Sequence, residues 1–271
     1  MKKILKKLIL YLNAIEIRIL ISYEYILLRG LSKNYPRGLL PRIWRNPEIM
    51  KDPIQLSRFL SVDDNILLVD IGAYTGHWAQ AFLDIFQRSS VKAFEPDSSS
   101  LNKYAERFIN RENVDIHEIA LSNKSGFSYF HIAESSAYSS LESSNILNRG
   151  ESEYIKKKKV KLSTLDEMDI ETSSFDRIFV KIVVQGHEAQ VIKGGANFFK
   201  NVDVVLVETS FSYGDENTTP SFPEVVSALH SSGLYPIIFQ DYGRKLGPYA
   251  WQRSVIFVRA DLLSLAESWT M

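Results

Sequence analysis

The residues whose types and spacing suit chemistry begin at Val69-Asp70-Ile71-Gly72-Ala73-Tyr74-Thr75-Gly76. They close the run Ile66-Leu67-Leu68-Val69-Asp70-Ile71, which is apolar apart from Asp70. A short run of that kind reads as a parallel strand buried on both faces. Glycines placed just after it let the backbone turn tightly and approach a ligand closely. The next apolar run ends in Phe94-Glu95-Pro96-Asp97. A carboxylate there accepts both hydroxyl protons of a ribose. Two cofactor classes compete for such a place. A dinucleotide site wants G-x-G-x-x-G, with helix N-terminal amides on a pyrophosphate. This chain has only Gly72 and Gly76, with Ala73 and Tyr74 between them, and Asp70 at the strand mouth would repel a pyrophosphate. Asp70 suits a ligand with an ammonium and a sulfonium, such as S-adenosylmethionine. Asp70-x-Gly72-x-x-x-Gly76 with Glu95 is therefore read as a methyl-donor site.

A second group is Lys181-Ile182-Val183-Val184-Gln185-Gly186-His187-Glu188, with Glu208 closing a later apolar run and Tyr213 beyond it. Methyl transfer from a sulfonium is an in-line displacement, so much of its catalysis is positioning. An alcohol acceptor also gains from a base that removes its proton. Neutral His187 has the right chemistry for that base, and its competing role is that of a helix-capping or surface residue. Lys181 lies on a strand expected to be buried and needs a partner, for which Glu188 and Glu208 are the candidates. Lys181 and Glu188 are also candidates for organising the acceptor or donor site, and Glu208 and Tyr213 for facing the acceptor. No metal is expected. Cysteine is absent, His187-Glu188 lacks the second His of a zinc helix, and the other four His show no ligand spacing.

These residues need elements to hold them. Strands are expected over 66–71, 91–94, 114–121, 127–132, 160–162, 177–184, 202–207, 236–239 and 254–259. Helices are expected over 77–87, 98–109 (with a serine-rich cap), 187–200 and 223–229. Strand–helix alternation gives a mostly parallel sheet with right-handed crossovers, which binds ligands outside its C-terminal strand ends. The last two strands lack a helix between them and should form an antiparallel hairpin. Residues 134–152, rich in Ser and Asn, read as a long loop of the kind that covers a site. Lys156, Lys157, Lys158 and Lys159 read as a solvated strand edge, because no aromatic interleaving accompanies them as a nucleic-acid patch would require.

At this point the chain resembles a known family. VDIGAYTG, AFEPDSSSLNKY, IALSNKSG, STLDEM, VKIVVQGHEAQVIKGG and VVLVETSF follow the blocks of FkbM-type methyltransferases over residues 66–234. The resemblance implies a class I, Rossmann-like, doubly wound seven-stranded sheet with an antiparallel C-terminal hairpin. It implies S-adenosylmethionine as donor and O-methylation of a hydroxyl on a glycan, a glycolipid, a lipid-linked sugar or a related small molecule. Glu95 would hold the ribose hydroxyls, Ala120, Leu121 and Ser122 would sit beside the adenine, and Asp70, Gly72 and Gly76 would surround the methionine part. One position departs from the family. Its usual K-I-D-V-E/Q-G-x-E carries an Asp where this chain has Val183, so the alternative is a catalytically impaired binding protein that keeps the fold.

Net charge is zero over 271 residues, with 32 basic and 32 acidic side chains. This gives no global pull toward nucleic acid, and no nucleic-acid partner is expected. Residues 1–45, however, hold ten Lys or Arg against two Glu, and the remainder holds 22 basic against 30 acidic residues. Residues 1–50 are accordingly read as a basic amphipathic helix and linker, and 51–271 as the methyltransferase domain. Glu16, Arg18 and Glu24 interrupt residues 1–28, so a membrane span is not expected. Two readings of that helix remain. It lies on a membrane surface with Lys2, Lys3, Lys6 and Lys7 on anionic lipid, or it packs on the body or on a second copy in a homo-oligomer. The expected setting is cytoplasmic, at most peripheral on the inner face of a membrane.

Overall fold

The computed structural model describes residues 39–134, 136–142, 154–210, 222–240 and 250–263, with a few further positions before residue 37 and at 245–246. The chain packs as two compact units, residues 1–64 with 77–89, and residues 65–76 with 90–271.

The smaller unit contains helices Leu40–Arg45, Pro47–Leu56 and His77–Ile85. Ile43, Ile54, Leu56, Phe82 and Phe86 are buried. Trp78 stacks on Phe82 and donates from Nε1 to Asp52 Oδ2 at 3.0 Å. The described positions between 15 and 26 are helical, with Ile21 and Tyr25 buried and Ile19 and Ile26 exposed. Most of residues 1–28, and with them the expected lipid-facing lysines, lie outside the described residues. Among the described residues no helix is long and apolar enough to cross a membrane.

The larger unit carries the sheet. Its strands are β1 (Ile66–Ile71), β2 (Ser90–Phe94), β3 (Val114–His117), β4 (Ala120–Leu121), β5 (Gly126–Ala133), β6 (Tyr154–Ser163), β7 (Arg177–Ile182), β8 (Val204–Ser210), β9 (Leu234–Gln240), β10 (Lys245–Leu246) and β11 (Ala250–Arg259). The main sheet runs β11-β8-β7-β1-β2-β3. Strands β8, β7, β1, β2 and β3 are parallel, and β11 lies antiparallel to both β8 and β9. This is the expected mostly parallel sheet with its antiparallel C-terminal pair, and β10 adds a short ladder to β11. One face packs Val69, Ile71, Phe94, Val180, Ile182, Val205 and Val207 against Ala189, Val191, Ile192, Phe199, Val225 and Leu229 from the helices Glu188–Gly194 and Phe222–His230 and the short turn Phe198–Asn201. The other face of β1, β2, β7 and β8 brings Asp70, Ala93, Lys181 and Leu206 level across the sheet.

Three expectations are corrected. The strand expected over 114–121 breaks at Ile119, whose amide bonds back to the His117 carbonyl. Its second half becomes β4, which joins β5 and β6 in a separate three-stranded sheet. The helix over 98–109 is capped by Asp97 rather than by a serine, and runs Ser98–Arg107. Asp97 Oδ2 accepts from the Ser100 amide and from the hydroxyls of Ser99 and Ser100. The helix over 187–200 stops at Gly194, with Gly195 as its cap.

Gly194, the last residue of that helix, lies against the backbone of Ser122. A Cβ on it would lie 1.9 Å from the Ser122 carbonyl oxygen and 2.8 Å from the Ser122 carbonyl carbon. Both obstacles are backbone and cannot swing aside. Gly194→Ala is therefore expected to lower unfolding stability by about 2–4 kcal/mol, read as the shift of the urea midpoint. A shift below about 0.5 kcal/mol, the range of ordinary surface changes, would contradict this close approach.

Candidate active site

Sheet register builds the site. Asp70 on β1 is level with Lys181 on β7. Lys181 Nζ donates to Asp70 Oδ1 at 2.8 Å and to the Gly72 carbonyl at 3.2 Å. Asp70 is 0% exposed and Lys181 6%. Asp70 Oδ2 is also buried and has no hydrogen-bond partner among the described residues. Lys181 thus pairs with Asp70, where Glu188 and Glu208 were the expected candidates, and the Glu188 carboxylate is turned elsewhere. The backbone after β7 reverses through Gln185 (φ 56) and Gly186 (φ 106). Glu188 closes this turn by accepting from the amides of Val184 at 3.2 Å and Gly186 at 3.0 Å. Burial pushes the Glu188 carboxyl up to about 7, with nearby Glu208 adding to the rise and the amides opposing it.

The glycine loop is held by β2. The amides of Gly72 and Ala73 donate to the Phe94 carbonyl at 3.0 and 3.2 Å. Gly72 has φ 73, and a Cβ there would meet the Val183 carbonyl oxygen at 2.0 Å. Tyr74 takes a left-handed φ of 51. Its amide donates to Glu95 Oε2 at 2.9 Å, and the Asp97 amide donates to Glu95 Oε1 at 2.9 Å. Gly76 (φ 77) sits against the rings of Tyr104 and Phe108. Glu95 is 6% exposed, and burial pushes its carboxyl up to about 7 against those two amides and the Lys181 charge. Pro96 is buried beside it. Asp70, Gly72, Ala73, Tyr74, Gly76, Glu95, Pro96 and Lys181 are therefore one cluster at the C-terminal ends of β1, β2 and β7.

Ala120, Leu121 and Ser122 gather at a second place, where β4 pairs with Leu162 and Ser163. Ser122 Oγ lies 2.9 Å from His187 Nε2, and His187 Nδ1 lies 2.7 Å from Glu142 Oε1. The hydrogen bond from His187 holds the Glu142 carboxyl below the usual carboxylate range, against its partial burial. A charged Glu142 accepts the Nδ1 proton. Both His187 nitrogens lie within hydrogen-bond distance of partners in the chain, so the residue joins two segments. Glu208 is half-buried at the end of β8 and accepts from Gln185 Nε2 at 3.0 Å. Tyr213 and residues 143–153 lie outside the described residues.

Four participants were missed by sequence reasoning: Ser136, Ser140, Glu142 and Gln185. Tyr74 Oη is 3.2 Å from Ser136 Oγ, and Ser140 Oγ donates to the Gln185 carbonyl at 2.8 Å. The polar loop after β5 is thereby tied to the glycine loop, to the turn after β7 and to His187. Its Ser-rich composition marked it as a cover but not which hydroxyls would bond. No group of three or more His, Asp or Glu suited to a metal occurs among the described residues.

The sequence of residues 70–243 matches the family model described as Methyltransferase FkbM domain. None of the curated proteins compared matches the chain. Among solved structures, the chain is similar to magnesium protoporphyrin IX methyltransferase from Synechocystis PCC 6803 with bound SAM, at 7% identity and TM-score 0.47, covering 83% of this chain and 85% of that one. It is similar to a sarcosine dimethylglycine methyltransferase from Galdieria sulphuraria, at 10% identity and TM-score 0.49, covering 80% and 86%. It is also similar to Aeropyrum pernix fibrillarin with natively bound S-adenosyl-L-methionine, at 13% identity and TM-score 0.40, covering 73% and 69%.

The Asp70–Lys181 pair yields a direct test. Lys181→Met strands a buried carboxylate, and removing one partner of a buried pair costs about 3–5 kcal/mol. The double variant Lys181→Met with Asp70→Asn leaves no charge behind and is expected to recover most of that loss in the same denaturation measurement. Equal losses in the single and double variants would show that the pair is not coupled.

Proposed function

The chain belongs to the FkbM methyltransferase family, and on that premise we propose that it moves a methyl group from S-adenosylmethionine to a hydroxyl of a glycan, a glycolipid or a related small-molecule acceptor. The observation that carries this reading is the buried Glu95 carboxylate, set at the end of β2 against the loop from Gly72 to Gly76. The donor set fits the molecule. Glu95 presents carboxylate lone pairs to ribose hydroxyls, and the unpartnered Asp70 Oδ2 gives the methionine end a negative neighbour. Neither group would welcome a pyrophosphate. When bound, S-adenosylmethionine supplies the activated methyl, and what remains for the chain is to orient the acceptor and take its proton.

Glu208 is the residue proposed for the proton. The β7–β8 register pairs Lys181 with Leu206 and Ile182 with Val207, so position 183 falls level with Glu208. Val183 removes the carboxylate that the resemblance leads one to expect on β7, and Glu208 stands one strand over at the same height. Gln185 fixes its carboxylate through one oxygen. A carboxylate at that height has the chemistry to receive a hydroxyl proton as the acceptor oxygen forms its bond to carbon. Lys181 and Glu188 serve this arrangement from beneath, one by neutralising Asp70 and the other by holding the turn that carries Gln185.

Val183 also favours a second reading, in which the chain binds the donor and does not turn it over. Two variants separate the readings with the donor and a panel of sugar acceptors. Glu208→Gln is expected to lower turnover by about 10²–10⁴ with donor affinity unchanged. An inactive wild type whose Val183→Asp variant is active would establish the impaired reading.

Donor binding should depend on pH. Charged Glu95 is the form that accepts ribose hydroxyls, and in the free protein it gains a proton as pH falls through about 7. Donor affinity is therefore full above that value and drops below it, approaching tenfold per pH unit. Glu95→Gln should flatten this dependence and weaken binding by about tenfold to a hundredfold. Calorimetric titration on either side of neutrality measures both, and a pH-independent affinity in the wild type would refute the ribose assignment.

A further inference from the structure

We propose that the outer face of the β5–β6 ribbon is a docking surface for anionic lipid. The pairing register places Phe127 opposite Lys161, Tyr129 opposite Lys159 and His131 opposite Lys157. Directly paired residues share a face of the sheet. The inner face packs Phe130, Val160 and Leu162 against Ala120. Alternation therefore turns Phe127, Tyr129, Lys157, Lys159 and Lys161 outward. Phe127 is 67% exposed and Tyr129 59%, and the three lysines are exposed as well. The Lys159 ammonium lies 4.8 Å from the centre of the Phe127 ring.

Lys158, on the inner side, donates to Ser98 Oγ at 2.8 Å and Glu118 Oε1 at 2.9 Å. Among the described residues no carboxylate forms an ion pair with Lys157, Lys159 or Lys161. A solvated edge explains lysines alone. It does not explain two large aromatic rings set beside them on the same ladder, where exposed apolar area has a cost unless something covers it. The aromatics come from β5 and the lysines from β6, far apart in sequence, so the interleaving is invisible until the strands pair.

The chemistry of the face selects the partner. Aromatic side chains settle at the headgroup level of a bilayer, and lysines on long stems reach its phosphates. A soluble polyanion would meet the rest of a body with 22 basic and 30 acidic residues after position 45. A lipid surface touches only what is turned toward it. The same chain opens with Lys2, Lys3, Lys6 and Lys7 beside Leu and Ile, a second signal of the same kind. Stable attachment to a bilayer ordinarily takes two weak signals together.

The test is co-sedimentation of the full chain with phosphatidylcholine vesicles, with and without phosphatidylglycerol. Binding is expected only to the anionic vesicles and should weaken with salt. Replacing Lys157, Lys159 and Lys161 together by Gln should lower partitioning on the order of a hundredfold, with the thermal melt unchanged. Phe127→Ala with Tyr129→Ala should lower it on the order of tenfold. A comparison chain with Lys2, Lys3, Lys6 and Lys7 changed to Gln should keep its dependence on the three ribbon lysines. The proposal is overturned if the wild type ignores anionic vesicles, or if the ribbon variants bind as the wild type does. Tighter binding to polyuridylate, with the same lysine dependence, would also overturn it by making the face a polyanion site.

Discussion

The site depends on a charge that cannot be left alone. Asp70 is fully buried in the middle of the sheet, and a carboxylate there is tolerable only beside a cation that gives up its own hydration to meet it. Lys181 does so from the adjacent strand and also reaches the Gly72 carbonyl. One ammonium thus bridges β1 and β7 at the level where the glycine loop departs. The loop then has little freedom. Gly72 passes so close to the Val183 carbonyl that no side chain fits between them. Strand, loop and neighbouring turn are one construction, with the ion pair at its base.

Glu95 carries the same logic outward. Its two oxygens accept from the Tyr74 and Asp97 amides, so it organises the ligand loop before any ligand arrives. Burial raises its pKa to about 7, which means that the free site stores unfavourable desolvation. Donors from a ligand relieve it. Preorganisation of this kind makes a group both structural and ligand-responsive, and explains why its protonation should be felt in affinity.

Much of this was legible in the sequence, and the limits are physical. The run from Ile66 to Ile71 could only be a buried strand, and the observed β1 has those bounds. Glu95 could be placed because it ends a strand next to the glycine loop. The partner of Lys181 could not, because register across β1 and β7 is a long-range property and Asp70 had already been assigned to a ligand. His187 shows the same limit from the other side. Its two nitrogens face Ser122 and Glu142, residues from separate segments that its own neighbours in sequence do not announce. The aromatic neighbours of the Lys156 to Lys159 run arrive from another strand, so the run alone does not show them.

The absence of a carboxylate at position 183 reads differently against this background. Asp70, Glu95, Glu188 and Glu208 already crowd the C-terminal ends of four adjoining strands and turns, with Lys181 the cation among them that the Asp70 pair and the rise-opposing effect at Glu95 identify. Glu208 already raises the pKa of Glu188. A further Asp beside Glu208 would make the two share protons, with one of them neutral near the working pH. Valine removes that competitor. The substitution that first suggested a retired site is, on electrostatic grounds, also the one that spares Glu208 a second carboxylate at its own level on β7.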